Sequence, residues 1–272
     1  MSATAVAQPD TITAATTSTL ANRTSLLTDI GTVFGRELRP TIRNPFSVVF
    51  SMIQPLFFLA LFSPLLQDVP GTNGSPLQWF VPGIVVMSCL MGASMTGSAL
   101  LLEMQTGSHE RMLVSPLSRP ALLIGRALKE IVPIVLQAVI IVAIATPFGF
   151  DLHVTGVLVG MVILSAFCIG VGGLSYALAL ASKNADWMFW TVQQTLIFPV
   201  LLLAGMLLPI DGGPGWLQTM SKFNPLTYVV DAERALFSGE VMSSTVTAGV
   251  VAAAAVGALG LLVGTRSMRN SD

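Results

Sequence analysis

A chain of 272 residues with 53% hydrophobic and only 10% charged side chains, at a mean hydropathy of +0.77, is too apolar for a water-soluble fold of that length. Its net charge of -1, without an acidic or basic tail, excludes a strongly basic nucleic-acid binder. Cys89 and Cys168 each sit in an apolar stretch, so no disulfide framework or CxxC motif is available and both read as small buried hydrophobes.

Residues 1–23 are rich in Ala and Thr and lack the early basic cluster and apolar core of a signal peptide. They read as a disordered tail before one membrane domain, 24–272. Leu26, Ile30, Val33, Phe34 and Leu38 then recur at helical spacing, with Asp29, Arg36 and Arg39 mostly elsewhere around the helix. The pattern predicts an amphipathic helix along the membrane surface, with a solvated linker helix as the plainer alternative.

Apolar runs follow at about 46–66, 79–102, 131–150, 154–182, 187–210 and 246–265, none containing Asp, Glu, Lys or Arg. Each reaches the roughly 20 residues that cross a hydrocarbon core. Backbone groups in lipid need internal partners, so the expected fold is an all-α integral membrane protein with six transmembrane helices. Pro55, Pro133 and Pro199 predict kinks rather than helix ends. Between the fifth and sixth runs, Pro and Gly turns alternate with apolar stretches, which predicts short helices dipping into the outer leaflet with Trp216 and Tyr228 at the interface. In the last run Ala248, Ala252, Gly260 and Gly264 form one ridge and Gly249, Ala253 and Gly257 the next; Gly156 and Gly160 repeat the spacing in the fourth. Such ridges favour close packing inside the bundle over a subunit interface.

Arg23, Arg36, Arg39, Arg43, Arg111, Arg119, Arg126, Lys129, Lys183, Arg266 and Arg269 fall on one side of this plan, 11 of the 13 basic residues. The positive-inside bias makes that side the cytoplasm, with both termini in it; only Lys222 and Arg234 lie outside. Gln54, Gln137, Gln193 and Gln194 are the large polar side chains inside the runs and are expected to face other helices or a cavity. Interhelical hydrogen bonding and a translocation path both fit them. With two Tyr and four Trp the chain has few rings to stack a sugar polymer, which favours a hydrophobic drug or lipid over a polysaccharide or glycolipid.

One chemistry is excluded, and two alternatives, an intramembrane serine protease and an ion-coupled transporter, are disfavoured. Lys129, Lys183 and Lys222 precede Glu130, Asn184 and Phe223, so no Walker A Gly-Lys-Ser/Thr exists here. The GLSY at 173–176 resembles the serine motif of rhomboid intramembrane proteases, yet a serine nucleophile needs a base, and the two histidines, His109 and His153, lie in loops. Charge-free spans weigh against a proton- or sodium-coupled transporter.

The segment ALLLEMQTGSHERMLVSPLSRPALLIGRALKE is similar to the signature loop of type-2 ABC transporter permeases, with Glu103, Gly107, Leu113, the PLSR of 116–119 and the LLIG of 122–125 at the family's positions. Ser108 stands where Thr is more usual. A second stretch, LPIDGGPGWLQTMSKFNPLTYVVDAERALFSGE, resembles the segment before the family's last helix through Asn224, Pro225, Tyr228 and Arg234. The resemblance covers about residues 25–270 and is closest to the membrane subunits of daunorubicin-type drug exporters.

The resemblance implies a bacterial cell-membrane permease that pairs with a second permease subunit, each docked on a cytoplasmic ABC ATPase. ATP and Mg would belong to that ATPase, leaving this chain no cofactor, metal or catalytic residue. Glu103, Gly107, Glu110, Arg111, Pro116 and Arg119 are then the expected ATPase-coupling residues. Residues 108–114 suit a short helix ended by Pro116, with Pro120 in the first turn of the next. A plain positive-inside loop explains the arginines but not the PLSR break.

Overall fold

Prolines mark where helices begin in this chain and fail to end those they interrupt. The computed structural model describes residues 26–43, 45–65, 76–107, 119–183, 185–210 and 212–269. The expected tail 1–23 and the expected helix at 108–114, with Glu110, Arg111 and Pro116, lie outside the described residues. Among the described residues there are nine α-helices: α1 Leu26–Arg43, α2 Pro45–Leu65, α3 Pro76–Gln105, α4 Arg119–Ala145, α5 Val154–Ala181, α6 Asp186–Leu203, α7 Gly215–Lys222, α8 Pro225–Phe237 and α9 Ser244–Arg269. Pro45, Pro76 and Pro225 open their helices and Pro120 is second in α4, where a missing N–H costs no bond. Pro55, Pro64, Pro82, Pro133 and Pro199 sit inside helices that continue past them.

The segments Pro76–Gln105, Ile124–Phe148, Val154–Ala181 and Ser244–Arg269 are long and apolar enough to cross a membrane, making this a multi-pass membrane protein. The second apolar run, 79–102, is the most enclosed: every residue from 80 to 90 in α3 is buried. Helices α2, α4, α5 and α8 pack around it. α5 and α9 form the closest helix pair, because Gly170, Gly173 and Gly260 let the two main chains touch. Gly249, Ala253, Gly257, Gly260 and Gly264 are the buried small residues of α9, so its ridges do pack internally. α8, only 13 residues long, wedges between α3, α5 and α9.

Three expectations need correction. The run 187–210 is not one continuous helix: α6 stops at Leu203, where Gly205 adopts φ 65 and closes the helix end in the left-handed region. The run 131–150 likewise ends early, at Ala145, with a 3-10 turn at Thr146–Phe148 and Gly149 at φ 98. In α1, Val33 is buried as its periodicity requires, but Asp29 is also buried, in a polar interaction, rather than on the polar face.

Candidate functional site

Of the expected coupling residues, Glu103, Gly107 and Arg119 fall within the described part, at the end of α3 and the start of α4. Gly107, at φ 67, ends the α3 run in the conformation glycine adopts most easily, and Arg119 is the first residue of α4. Arg126, grouped by sequence with the loop's basic residues, is instead 5% exposed, because α4 begins well before its apolar run and carries Arg126 two turns inward. Its Nη2 bonds the Glu103 carboxylate, its Nε lies 3.7 Å from Glu37 Oε1 on α1, and its Nη1 donates to Tyr176 Oη at 3.3 Å. The guanidinium also stacks 5.6 Å from the Tyr176 ring centre. Arg36 completes the cluster with a 3.0 Å bond to Glu37. Beside it, the Gln105 amide donates to Asp186 at the start of α6. One charged knot therefore joins α1, α3, α4 and α5, and a polar bond extends it to α6.

The four glutamines separate. Gln137 donates to Ser51 Oγ, an interhelical bond between α4 and α2. Gln54 and Gln194 are exposed on the single chain, a correction to the expectation that they face other helices or a cavity, because each stands off the buried side of its helix. Gln193 is buried with Phe189, Ile197 and Leu201, a stripe at i, i+4 spacing by which α6 meets the bundle. It borders a cavity of about 450 Å³ between α3, α5, α6, α9 and the start of α8. Leu90, Phe167, Val171, Leu174, Leu196 and Val256 give that cavity apolar walls.

At the opposite end, the NPLTY segment and Arg234 serve the frayed end of α6. Asn224 Oδ1 accepts from Leu226 N at 3.1 Å, capping α8, while Asn224 Nδ2 donates to Val200 O at 2.8 Å. Thr227 Oγ1 donates to Leu203 O at 3.2 Å, and Arg234 Nη2 to Gly205 O at 2.7 Å. Leu203 O and Gly205 O, at and just past the end of α6, thus gain donors from α8, while Val200 O, already bonded by Ala204 N, gains a second from Asn224. Arg234 also stacks 3.8 Å from the Trp79 ring and donates to Trp79 O at 3.2 Å. Tyr228 Oη donates to Lys222 O at 2.9 Å, and Pro225 is the first residue of α8.

Ser175, of the protease-like GLSY, is committed elsewhere: its Oγ donates to Ser94 O and accepts from Gly97 N at 3.1 Å. His153 stands at the other end of α5, 3.0 Å from Phe237 O. Glu233 is the residue sequence reasoning missed. It is 0% exposed, packed over Gly160, and neither carboxylate oxygen has a partner among the described residues. The signal was present: Glu233 falls on the stripe of Leu226, Val229, Val230 and Leu236. Burial pushes its carboxyl up to a pKa of about 8.

Residues 28–238 match the family model described as ABC-2 type transporter. A transport permease, ycf38, of Cyanophora paradoxa is 31% identical over 202 residues, covering 72% of this chain and 69% of its own. The daunorubicin resistance ABC transporter permease protein DrrB1 of Streptomyces coeruleorubidus is 26% identical over 72% of this chain and 70% of its own. A doxorubicin resistance ABC transporter permease protein, DrrC, of Mycobacterium tuberculosis is 23% identical, with 81% and 83% covered.

Proposed function

The chain belongs to the ABC-2 type transporter family, and on that premise we propose that it is the permease subunit of an ATP-driven exporter that moves a hydrophobic drug or lipid-like molecule out of the cell. In this reading α2 and α6 complete a six-span plan, and α1 and the α7–α8 pair lie at the two membrane surfaces. Both termini lie in the cytoplasm of a bacterial cell, and a second permease subunit covers the outward faces of Gln54 and Gln194. A separate ATPase, holding ATP and Mg, docks on residues 108–118 between Gly107 and Arg119. The charged knot supports that docking site, since movement of the loop would pull on Glu103 and Arg126 together.

The observation that carries the substrate class is the apolar cavity beside α6. Phe167 is the one aromatic residue lining it among the described residues, too few to stack a sugar chain. That favours a hydrophobic cargo over a polysaccharide or glycolipid.

Inside-out vesicles holding the chain and its ATPase should accumulate daunorubicin, the compound in one relative's name, when ATP is added outside. Vesicles lacking either subunit should not. Uptake without the ATPase, or specific nucleotide binding by the purified chain in calorimetry, would overturn the reading. A cysteine at Gly213 should react with an impermeant thiol reagent on intact cells, and one at Ser118 should not; the reverse labelling would invert the orientation.

A further inference from the structure

α8 sits in a slot whose walls are made of glycine. Gly156 and Gly160 of α5 and Gly249 of α9 face it, and a Cβ at these positions would strike Leu236 O, the Glu233 carboxylate and Ala232 Cβ respectively. Glu233 is thereby pressed between α8 and the main chain of α5, fully buried, and neither of its oxygens has a partner among the described residues. The titratable groups of the surrounding helices are placed elsewhere. Cys89 of α3 and Cys168 of α5 bond Leu164 O and Cys89 O, and His153 at the start of α5 bonds Phe237 O. Glu103, Tyr176 and Asp186 belong to the polar cluster at the opposite end of the bundle. α9 has no charged residue before Arg266. Lys222 of α7 and Asp231 and Arg234 of α8 line a separate polar pocket beside Trp79. Among the described residues, the slot thus offers an ionised Glu233 no cation and no donor.

We propose that α8 is a latch worked by one proton: it stays in the glycine slot while the Glu233 carboxyl keeps its hydrogen, and leaves the slot when that proton passes to water. An unpaired charge is strongly disfavoured in a buried site without donors, so ionisation favours the arrangement in which water reaches the carboxylate. Burial raises this carboxyl to a pKa of about 8 in the docked state, against an ordinary value near 4.5. Between those values each unit of pH should favour release by about tenfold, the slope of one proton. The motion has somewhere to go. Asn224, Thr227 and Arg234 of α8 hold Val200 O, Leu203 O and Gly205 O at the end of α6. Asn224, Pro225 and Leu226 also line the apolar cavity beside α6. Release of α8 therefore frees the end of α6 and opens a wall of that cavity. As a step in export this rests on the exporter reading above; as a pH-driven motion of α8 it stands without it.

The test is amide hydrogen exchange of the full chain in lipid nanodiscs, without ATPase or drug, from pH 5.5 to 7.5, each rate being corrected for the chemical exchange rate at that pH. In the wild type the protection of residues 226–237 should fall by roughly a hundredfold over those two units, while Ser244–Arg269 of α9 keeps its protection. Glu233→Gln, of the same shape, and Glu233→Leu should show no such slope. Both variants keep His153, so a slope that came from the histidine would persist in them. A wild type without the slope overturns the proposal, as does a slope in either variant. A slope that α9 shares in full also overturns it, because the proton would then act on the whole fold and not on α8. If the slope behaves as stated but vesicles holding the chain and its ATPase take up no drug, the exporter reading fails and the latch stands. Drug uptake by a chain whose α8 shows no slope has the opposite meaning.

Discussion

Arg126, two turns into α4, holds the Glu103 carboxylate near the end of α3, so the two helices that bracket residues 108–118 are fastened to each other just inside the bundle. Glu37 of α1 and Tyr176 of α5 share the same guanidinium. A buried ion pair is a poor source of net stability but a costly one to break, because the survivor keeps its desolvation penalty without its partner.

Arg126→Met should therefore destabilise the chain by about 3–5 kcal/mol, and Glu103→Gln by less, since Arg126 then still has Glu37 and Tyr176 beside it and the amide oxygen of Gln can still accept from it. The double variant Glu103→Gln/Arg126→Met should cost less than the sum of the two singles. Thermal unfolding in detergent reads the stabilities. Strictly additive losses would mean that the pair is not coupled in the membrane-embedded protein.

A second expectation concerns the glycines between α5 and α9. A Cβ at Gly260 would run into the main chain at Gly170, with no side chain to give way. Gly260→Leu should lower the apparent melting temperature sharply and reduce the yield of folded protein. Ala258→Leu, on the exposed side of the same helix, should change neither. Equal behaviour of the two variants would show that α5 and α9 do not meet at these residues.

Much of this architecture was legible because lipid imposes strong rules. Apolar length marked the helices that cross, and the small-residue spacing of α9 marked its buried ridge. The shortened α6 was less legible, since Ala-Gly-Met-Leu-Leu at 204–208 is as apolar as the helix before it, and only the left-handed Gly205 breaks the run. Arg126 misled for a related reason: a topogenic arginine and a buried one look alike until the start of α4 is known. The roles of Asn224, Thr227 and Arg234 as donors to the end of α6 could not be read from their spacing, because those carbonyls lie more than twenty residues earlier in the chain. Gln137 and Gln193 are the same residue type in equally apolar runs. One bonds Ser51 and the other borders a cavity, a difference set by what stands opposite.

Glu233 carries the last prediction. Its carboxyl is enclosed by α8, by Gly160 of α5 and by α3, from which Cys89 lies within electrostatic reach. No cation is paired with it among the described residues. Without a cation the charged form is disfavoured, and the acid keeps its proton up to a pH of about 8, against an ordinary value near 4.5. The folded chain therefore binds this proton over a range in which the unfolded chain has released it. Its contribution to stability is fully present below about pH 4.5 and is lost as pH rises through about 8. Thermal melting of the solubilised chain from pH 5 to 8.5 should show the wild type declining while Glu233→Gln, which keeps the shape and cannot ionise, declines much less. Glu233→Leu should match the flatter profile and melt higher, by the roughly 1–3 kcal/mol that a buried unmade hydrogen bond costs. Parallel decline of the wild type and Glu233→Gln would mean that the carboxyl is ionised in the folded protein and has a partner from outside this chain.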